Sequence, residues 1–445
     1  MKPRAITAIT VLVVAIGAQK CGAEDAGQNE PLKKEPTPCP DNLDVSGSLR
    51  VRTEFFDNFN CKQYGTEDTD NMLLERLRLN FNYRLDDNRN AFIQIQDAHF
   101  WFSDLHLRDF GQVCPHQNPL DLREGYIEWK RIHDSPFGFK IGRQTITYRD
   151  GRVWGPGDWG NTGRYTWDAI KLHVDTEAVS TDLITAQQVI SDKHTFDDTH
   201  FDFDAYGIYS RFNELPFDFD VFYTFKYDNH GATLGESGQG DLRSHSLGLY
   251  TGGNFLDSFD WGGLGVHQFG DFGEDDINAC GLNARLGYTF DSPWNPRFGM
   301  EFSYGSGDDD PDDGTHGTFD GVFGGIDRFY GRMNMFAWMN LEDYQASFSI
   351  RPRKTLDISM DYHYFRLAAD GDGWYYGNGR PIRQDPTGAS GASLGHEVDL
   401  LAKWNINKHL ELFVGYSHFF PESFVRNTGS HDDADWVFFQ ITLFL

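Results

Sequence analysis

The chain of 445 residues carries 39 Lys and Arg against 67 Asp and Glu, a formal net charge of −28, and 15% of it is aromatic. So acidic a balance excludes nucleic-acid binding through bulk charge. A mean hydropathy of −0.53 likewise excludes a bundle of apolar membrane helices.

In chain order, Lys2 and Arg4 precede one apolar stretch from Ala5 to Ala18, too short to cross a bilayer as a helix. This pattern predicts a secretory signal peptide over residues 1–23, with cleavage near Cys21-Gly22-Ala23; Lys20 is a poor neighbour for a lipidated cysteine. Residues 24–44 are polar and contain Pro31, Pro36, Pro38 and Pro40, which predicts a disordered periplasmic lead-in. From residue 45 to 445 the pattern changes to strands of period 2. Residues 73–84 show the unit: Leu73, Leu77, Leu79, Phe81 and Tyr83 share one face with Glu75, while Leu74, Arg76, Arg78, Asn80, Asn82 and Arg84 share the other. Equivalent alternation marks strands near 45–57, 72–84, 90–103, 123–131, 137–148, 166–176, 181–192, 203–213, 217–227, 242–252, 258–270, 280–291, 297–306, 343–351, 355–367, 394–405, 409–419 and 434–445.

The connections alternate between short and long. Short ones carry turn residues, as in Asp86-Asp87-Asn88, Asp134-Ser135-Pro136, Asp291-Ser292-Pro293 and Asn405-Ile406-Asn407. The long ones are residues 58–71, 104–122, 149–165, 193–202, 228–241, 271–279, 307–342, 368–393 and 420–433. This rhythm has no purpose in a soluble sandwich. It is what an outer-membrane barrel requires, with tight periplasmic turns at one end and long loops at the other. Residues 329–340 also read as a strand, but including them would place two short turns in succession, so they are assigned to a loop or an extended hairpin arm. The fold predicted is an all-β transmembrane antiparallel barrel of about 18 strands. Its last strand, with Val437, Phe439, Ile441, Leu443 and Leu445 on one face, would close against the first, because a bilayer tolerates no open sheet edge.

Acid gathers in the loops, in Asp308-Asp309-Asp310, Asp312-Asp313 and Asp432-Asp433. A solvated acidic rim is one reading; calcium at these acidic outer loops, bridging to lipopolysaccharide phosphates, is the other. Asp308, Asp310 and Asp312 have calcium-loop spacing, but Asp313 stands where that loop needs glycine. No other cofactor is implied. Cys39, Cys61, Cys114 and Cys280 would enter an oxidising compartment, and Cys61 and Cys114 fall in neighbouring outer loops where a bridge could form. No catalytic constellation is evident: G-x-S-x-G and H-E-x-x-H are absent, and Ser417-His418 are adjacent on a strand and so point to opposite faces. Gly155-Pro156-Gly157-Asp158-Trp159-Gly160 matches a nucleotide-binding spacing only formally, with proline inside it and no βαβ unit around it.

Six stretches, in order along the chain, carry a resemblance. They are Leu122-Arg123-Glu124-Gly125-Tyr126-Ile127-Glu128-Trp129; Gly142-Arg143-Gln144 with Tyr148-Arg149-Asp150; Trp159-Gly160-Asn161-Thr162-Gly163-Arg164; Tyr362-His363-Tyr364-Phe365; Gly395-His396-Glu397-Val398-Asp399-Leu400; and Gly415-Tyr416 leading to Phe420-Pro421. Through them the chain resembles the alginate export family of outer-membrane barrels. The resemblance implies an 18-stranded monomeric barrel conducting an anionic polysaccharide past a constriction lined with arginines, with a periplasmic export assembly as a partner. A general diffusion porin for small sugars or organic acids is the alternative, and a barrel enzyme acting on lipids or peptides is a third class.

Alternation predicts a pore lining of Arg50, Arg52, Arg76, Arg78, Arg84, Lys140, Lys171, His173, Arg285 and Lys403. Arg143 and Arg164 join them through the family motifs, although Arg143 shares the parity of Phe139 and Ile141. Glu54, Glu124, Glu128, Glu301, Asp357, Asp361, Glu397 and Asp399 are the opposing acids, and an arginine wall with unmatched field would select anions. On this reading an Arg143→Glu substitution is expected to reduce anion preference.

Overall fold

A computed structural model of the chain describes residues 42–59, 69–109, 114–326 and 328–445. The signal peptide and nearly all of the lead-in lie outside the described residues, as does Cys61 and with it the expected bridge to Cys114.

Eighteen antiparallel strands form one closed sheet. They are β1 (Leu43–Asp57), β2 (Thr69–Arg84), β3 (Arg89–Trp101), β4 (Asn118–Trp129), β5 (Phe137–Gln144), β6 (Thr166–Asp175), β7 (Val179–Ile190), β8 (Asp198–Phe212) and β9 (Asp218–Leu234). The second half comprises β10 (Gln239–Phe255), β11 (Phe259–Phe272), β12 (Asp275–Thr289), β13 (Arg297–Gly305), β14 (Leu341–Arg353), β15 (Leu356–Arg366), β16 (Ser393–Asn407), β17 (Leu410–Pro421) and β18 (Ala434–Phe444). Each strand pairs with its sequence neighbours, and β18 returns to β1 with Val51 opposite Ile441 and Arg52 opposite Gln440. Every strand edge is therefore satisfied, the condition a bilayer imposes. Among the described residues no helix is long and apolar enough to cross a membrane.

The two faces separate by parity. Along β18, Trp436 and Phe438 point inward and are buried, whereas Val437 and Phe439 point outward at 42% and 45% exposure. The outward face is a belt of Ile, Leu, Phe and Tyr around the barrel, including Ile93, Ile127, Ile170, Leu249, Leu286 and Leu400, which matches the apolar band such barrels present to lipid. The turns between β2 and β3, β6 and β7, β10 and β11, and β16 and β17 are short and occupy one end. By the same rule that end is periplasmic.

Segment 329–340 forms no strand. It owes its apolar character to burial inside the barrel, where Met333, Met335, Phe336 and Trp338 are each nearly inaccessible. Two expected long loops turn out to be hairpin: β9 runs to Leu234 and β10 resumes at Gln239, and β11 and β12 are separated only by residues 273–274. Above the membrane both faces of a strand meet water, so alternation fades although pairing continues. The opposite holds at residues 145–148, expected in β5. Here the chain leaves the wall and turns into the lumen.

Residues 145–165, 317–326 and 328–340 thus fold inside the barrel and pack on each other. Gly155 N donates to Phe323 O at 3.1 Å and Phe323 N to Val153 O at 2.9 Å. Around this bridge the Trp154 and Phe323 ring centroids lie 4.4 Å apart, with Trp167 of β6 within 5.4 Å of both. Inward aromatics of the wall, Tyr209, Phe222 and Phe365 among them, complete a hydrophobic core within the lumen. Gly248 on β10 leaves room for the Phe222 ring, since a Cβ there would collide with it. Gly248→Val is expected to destabilise the barrel by roughly 1–3 kcal/mol through overpacking, read as a lower temperature for loss of the heat-modifiable folded band on gels.

Candidate functional site

Within the β1–β4 sector of the wall, β1, β2 and β4 set inward arginines against the infolded loop. On β1 and β2 this follows from simple parity: Arg50, Arg52 and Glu54 alternate with Leu49, Val51, Thr53 and Phe55, and Arg76 and Arg78 with Leu77 and Leu79. On β4 it depends on a bulge. The β3 partner of Glu124 is Gln94 and that of Leu122 is Ile95, so Arg123 is an extra residue. It lies inward beside Glu124 instead of opposite to it.

These arginines hold backbone carbonyls. Arg50 donates from Nη1 to Trp159 O at 3.2 Å and from Nη2 to Gly160 O and Asn161 Oδ1, both at 3.1 Å. Arg52 donates to Trp159 O at 3.0 Å, lies 4.0 Å over the Trp159 ring and pairs with Glu54 at 2.5 Å. Arg76 donates to Asp158 O at 3.0 Å and to Gly160 O at 3.2 Å. Arg78 donates to Gln96 Oε1 and to Asp158 Oδ1, each at 2.8 Å, and Arg123 Nη2 stands 3.6 Å from the same carboxylate while its Nη1 bonds Thr166 Oγ1. Burial by itself would raise the Asp158 carboxyl; Arg78, Arg123 and Arg76 override it and hold the carboxyl well below the usual carboxylate range.

Elsewhere in the lumen the signs largely reverse, with Arg149 and Arg152 brought by the loop to acids of the wall and Arg285 the exception. Arg152 reaches Glu301 and donates to Ser303 Oγ at 3.1 Å. Arg149 pairs with Asp218 at 2.8 Å and with Asp220, and Arg285 of the wall pairs with Asp150 of the loop at 3.0 Å. Glu397 accepts from Met333 N at 2.9 Å, and Asp399 accepts from Arg332 N at 3.3 Å and from Ser417 Oγ. His363 lies between Asp343 at 2.9 Å and Asp399 at 3.9 Å, all buried beneath the second loop.

The remaining candidate residues are spread over other parts of the wall. Glu124 accepts from Thr145 N and Oγ1 where the first loop departs, and Glu128 stands opposite Lys140, whose ammonium lies 3.7 Å from the Tyr126 ring. Lys171 pairs with Asp182 at 3.1 Å, and Lys403 with Glu411 at 3.0 Å. Arg84 meets Asp44 at the periplasmic end, and His173 bonds Lys130 O. Arg164 ties the first loop to Gly377 O of the 367–392 loop. Among the acidic loops, Asp308 Oδ2 accepts from Gly317 N and Asp310 Oδ1 from Asp312 N.

Arg143 does not line the lumen. It sits opposite Asp168, and both share the outward parity of Ile141, Ile170 and Leu172. It pairs bidentately with Asp168 at 2.9 and 3.0 Å and donates to Asp197 O at 3.0 Å, under the loop at 191–197. Parity had already assigned it to the outer face, and the family motif pointed the wrong way.

Sequence reasoning missed Arg123, Arg149, Arg152, Asp158 and Arg332. The bulge that re-aims Arg123 leaves no trace in an alternation count. The infolding had a signal, since residues 319–338 hold Phe319, Phe323, Phe329, Tyr330, Phe336 and Trp338, a density unlike the acidic outer loops. A cavity of 1140 Å³ in the outer half of the lumen is lined by Arg52, Trp159, Arg164, Lys226, Arg332 and Tyr376 among others, with Arg50, Arg76, Arg78, Arg123 and Asp158 outside its lining.

The family model described as alginate export matches residues 41–438. No curated protein matches at the level of sequence. Among solved structures, OccAB2 of Acinetobacter baumannii is similar at 12% identity and a TM-score of 0.60, covering 90% of this chain and 98% of that one. OccK8 (OprE) of Pseudomonas aeruginosa is similar at 11% identity and a TM-score of 0.57, covering 91% and 98%. The outer membrane protein opdK of Pseudomonas aeruginosa matches at 11% and 0.57, covering 90% and 98%. The closed barrel, its lipid-facing belt and the family match place the chain in the bacterial outer membrane.

Because Arg143 and Asp168 face outward, Arg143→Glu is expected to leave the reversal potential in a salt gradient unchanged. It should weaken the fold instead, by about 1–3 kcal/mol for a charge-assisted pair whose carboxylate is partly exposed, measured as loss of the heat-modifiable form.

Proposed function

The chain belongs to the alginate export family, and from that footing we propose that this outer-membrane channel passes small carboxylated solutes, sugar acids or short uronates, one at a time. One observation carries the reading: Arg50, Arg52, Arg76, Arg78 and Arg123 crowd a single stretch of inward wall, facing a lumen that two infolded loops already narrow. Their summed field attracts anions into a chain whose net charge is −28. A guanidinium also matches a carboxylate geometrically, two parallel N–H donors to two oxygens.

Conduction of an anionic polysaccharide is the second reading, supported by family membership. It asks more of the molecule, because a polymer would need both loops withdrawn from the lumen core around Trp154 and Phe323. The planar-bilayer experiment separates the two. Small-solute passage predicts an anion-selective reversal potential, current reduction by glucuronate and little further gain with oligouronate length. Block that deepens steeply with length favours the polymer. Cation selectivity with indifference to glucuronate would sink both. The double variant Arg78→Gln/Arg123→Gln is expected to shift the reversal potential towards cation preference.

A further inference from the structure

The basic wall holds more donors than its acceptors satisfy. Arg123 is 6% exposed, yet its Nε and Nη2 find no hydrogen-bond acceptor, and neither does Nε of Arg50 or Arg76. Buried donors of a charged group left without acceptors are costly. Among the described residues two carboxylates, Glu54 and Asp158, pair with the five guanidiniums. Glu54 is taken by Arg52 at 2.5 Å, which leaves Asp158 for Arg78 at 2.8 Å and, beyond hydrogen-bond reach, for Arg123 at 3.6 Å.

Asp158 is also held differently from the backbone around it. The carbonyls of residues 158–160 and the Asn161 side chain are fastened to Arg50, Arg52 and Arg76. Asn161 Nδ2 donates in turn to the carbonyls of Glu75, His99 and His116. The Asp158 carboxylate itself is half exposed within the lumen and held chiefly by Arg78. Close by, Gly163 adopts φ +83°, and a Cβ there would strike the Arg123 guanidinium, so the chain yields space to that group.

We propose that Arg76, Arg78 and Arg123 form a carboxylate-binding site whose resident occupant is the tethered side chain of Asp158, and that an anionic solute passes by exchanging its own carboxylate for that one. The inference rests on the anion-channel reading and adds to it a mechanism of admission. Exchange keeps the charge balanced throughout, since one carboxylate arrives as the other leaves and no guanidinium is stripped bare in a low-dielectric lumen. Neutral sugars cannot make the exchange and meet a closed contact. The loop remains anchored at Asn161, through Arg50 and the carbonyls of Glu75, His99 and His116, so the movement is confined to residues 157–159.

Glucuronate titration in planar bilayers, comparing wild type with Asp158→Asn and Asp158→Glu, tests the exchange. Removing the competitor should tighten glucuronate binding about tenfold, the factor for one charge-assisted hydrogen bond, while Asp158→Glu restores the wild-type constant. Unchanged or weaker binding in Asp158→Asn overturns the exchange. Hydrogen exchange on the wild-type protein gives an independent readout should that variant not fold. Glucuronate, but not glucose, should speed exchange of the amides at 157–159, and slower or unaltered exchange overturns the proposal. Wild-type protein that shows no response to glucuronate in the bilayer assay fails the anion-channel reading itself, a different outcome from glucuronate block without displacement.

Discussion

Charge complementarity between wall and infolded loops is the constraint on which the rest of the lumen depends. Arg50, Arg52 and Arg123 cannot sit buried on β1 and β4, with Arg76 and Arg78 half-buried between them on β2, without acceptors, and four acids, Asp343, Glu397, Asp399 and Asp220, cannot sit buried elsewhere on the wall without donors. Residues 145–165 answer both demands, offering carbonyls and Asp158 on one side and Arg149 and Arg152 on the other. The second loop gives the backbone N–H groups of Arg332 and Met333 to the acids. Once these contacts are made, Trp154, Phe323 and Trp338 come together in a core that a water-filled pore would lack. The barrel is therefore a wall whose interior has been folded shut by paired charges, and the cavity of 1140 Å³ is the space those pairings leave.

The wall was readable from the sequence because a bilayer enforces strict rules. Period 2, tight turns at one end and an even strand count together recover the eighteen strands, and they reject residues 329–340 for a sound topological reason. The interior was less readable because its determinants are not periodic. Residues 145–148 continue the apolar pattern of β5 while departing from it, and only the destination of that chain, a dry lumen, explains why they remain apolar. Arg123 owes its aim to one extra residue in β4, and no count of alternation reveals a bulge. Arg143 shows the reverse hazard: its parity with Ile141 stated the answer, and the motif around it suggested a role that its partner Asp168 contradicts.

The hydrogen bonds of the first loop join residues far apart in the chain. Arg50 meets Asn161 across 111 positions, and Arg152 meets Ser303 across 151. A single segment leaving β5 thus grips β1 on one side and β13 on the other, as an internal strut across the barrel. During assembly such a strut has nothing to hold until both halves of the sheet exist, so these contacts form late and at a cost in loop-closure entropy. Their completion draws the early and late strands towards each other and favours the β1–β18 seam. Sealing the lumen and closing the wall become one cooperative event, so a half-assembled barrel lacks the plug that a finished one carries.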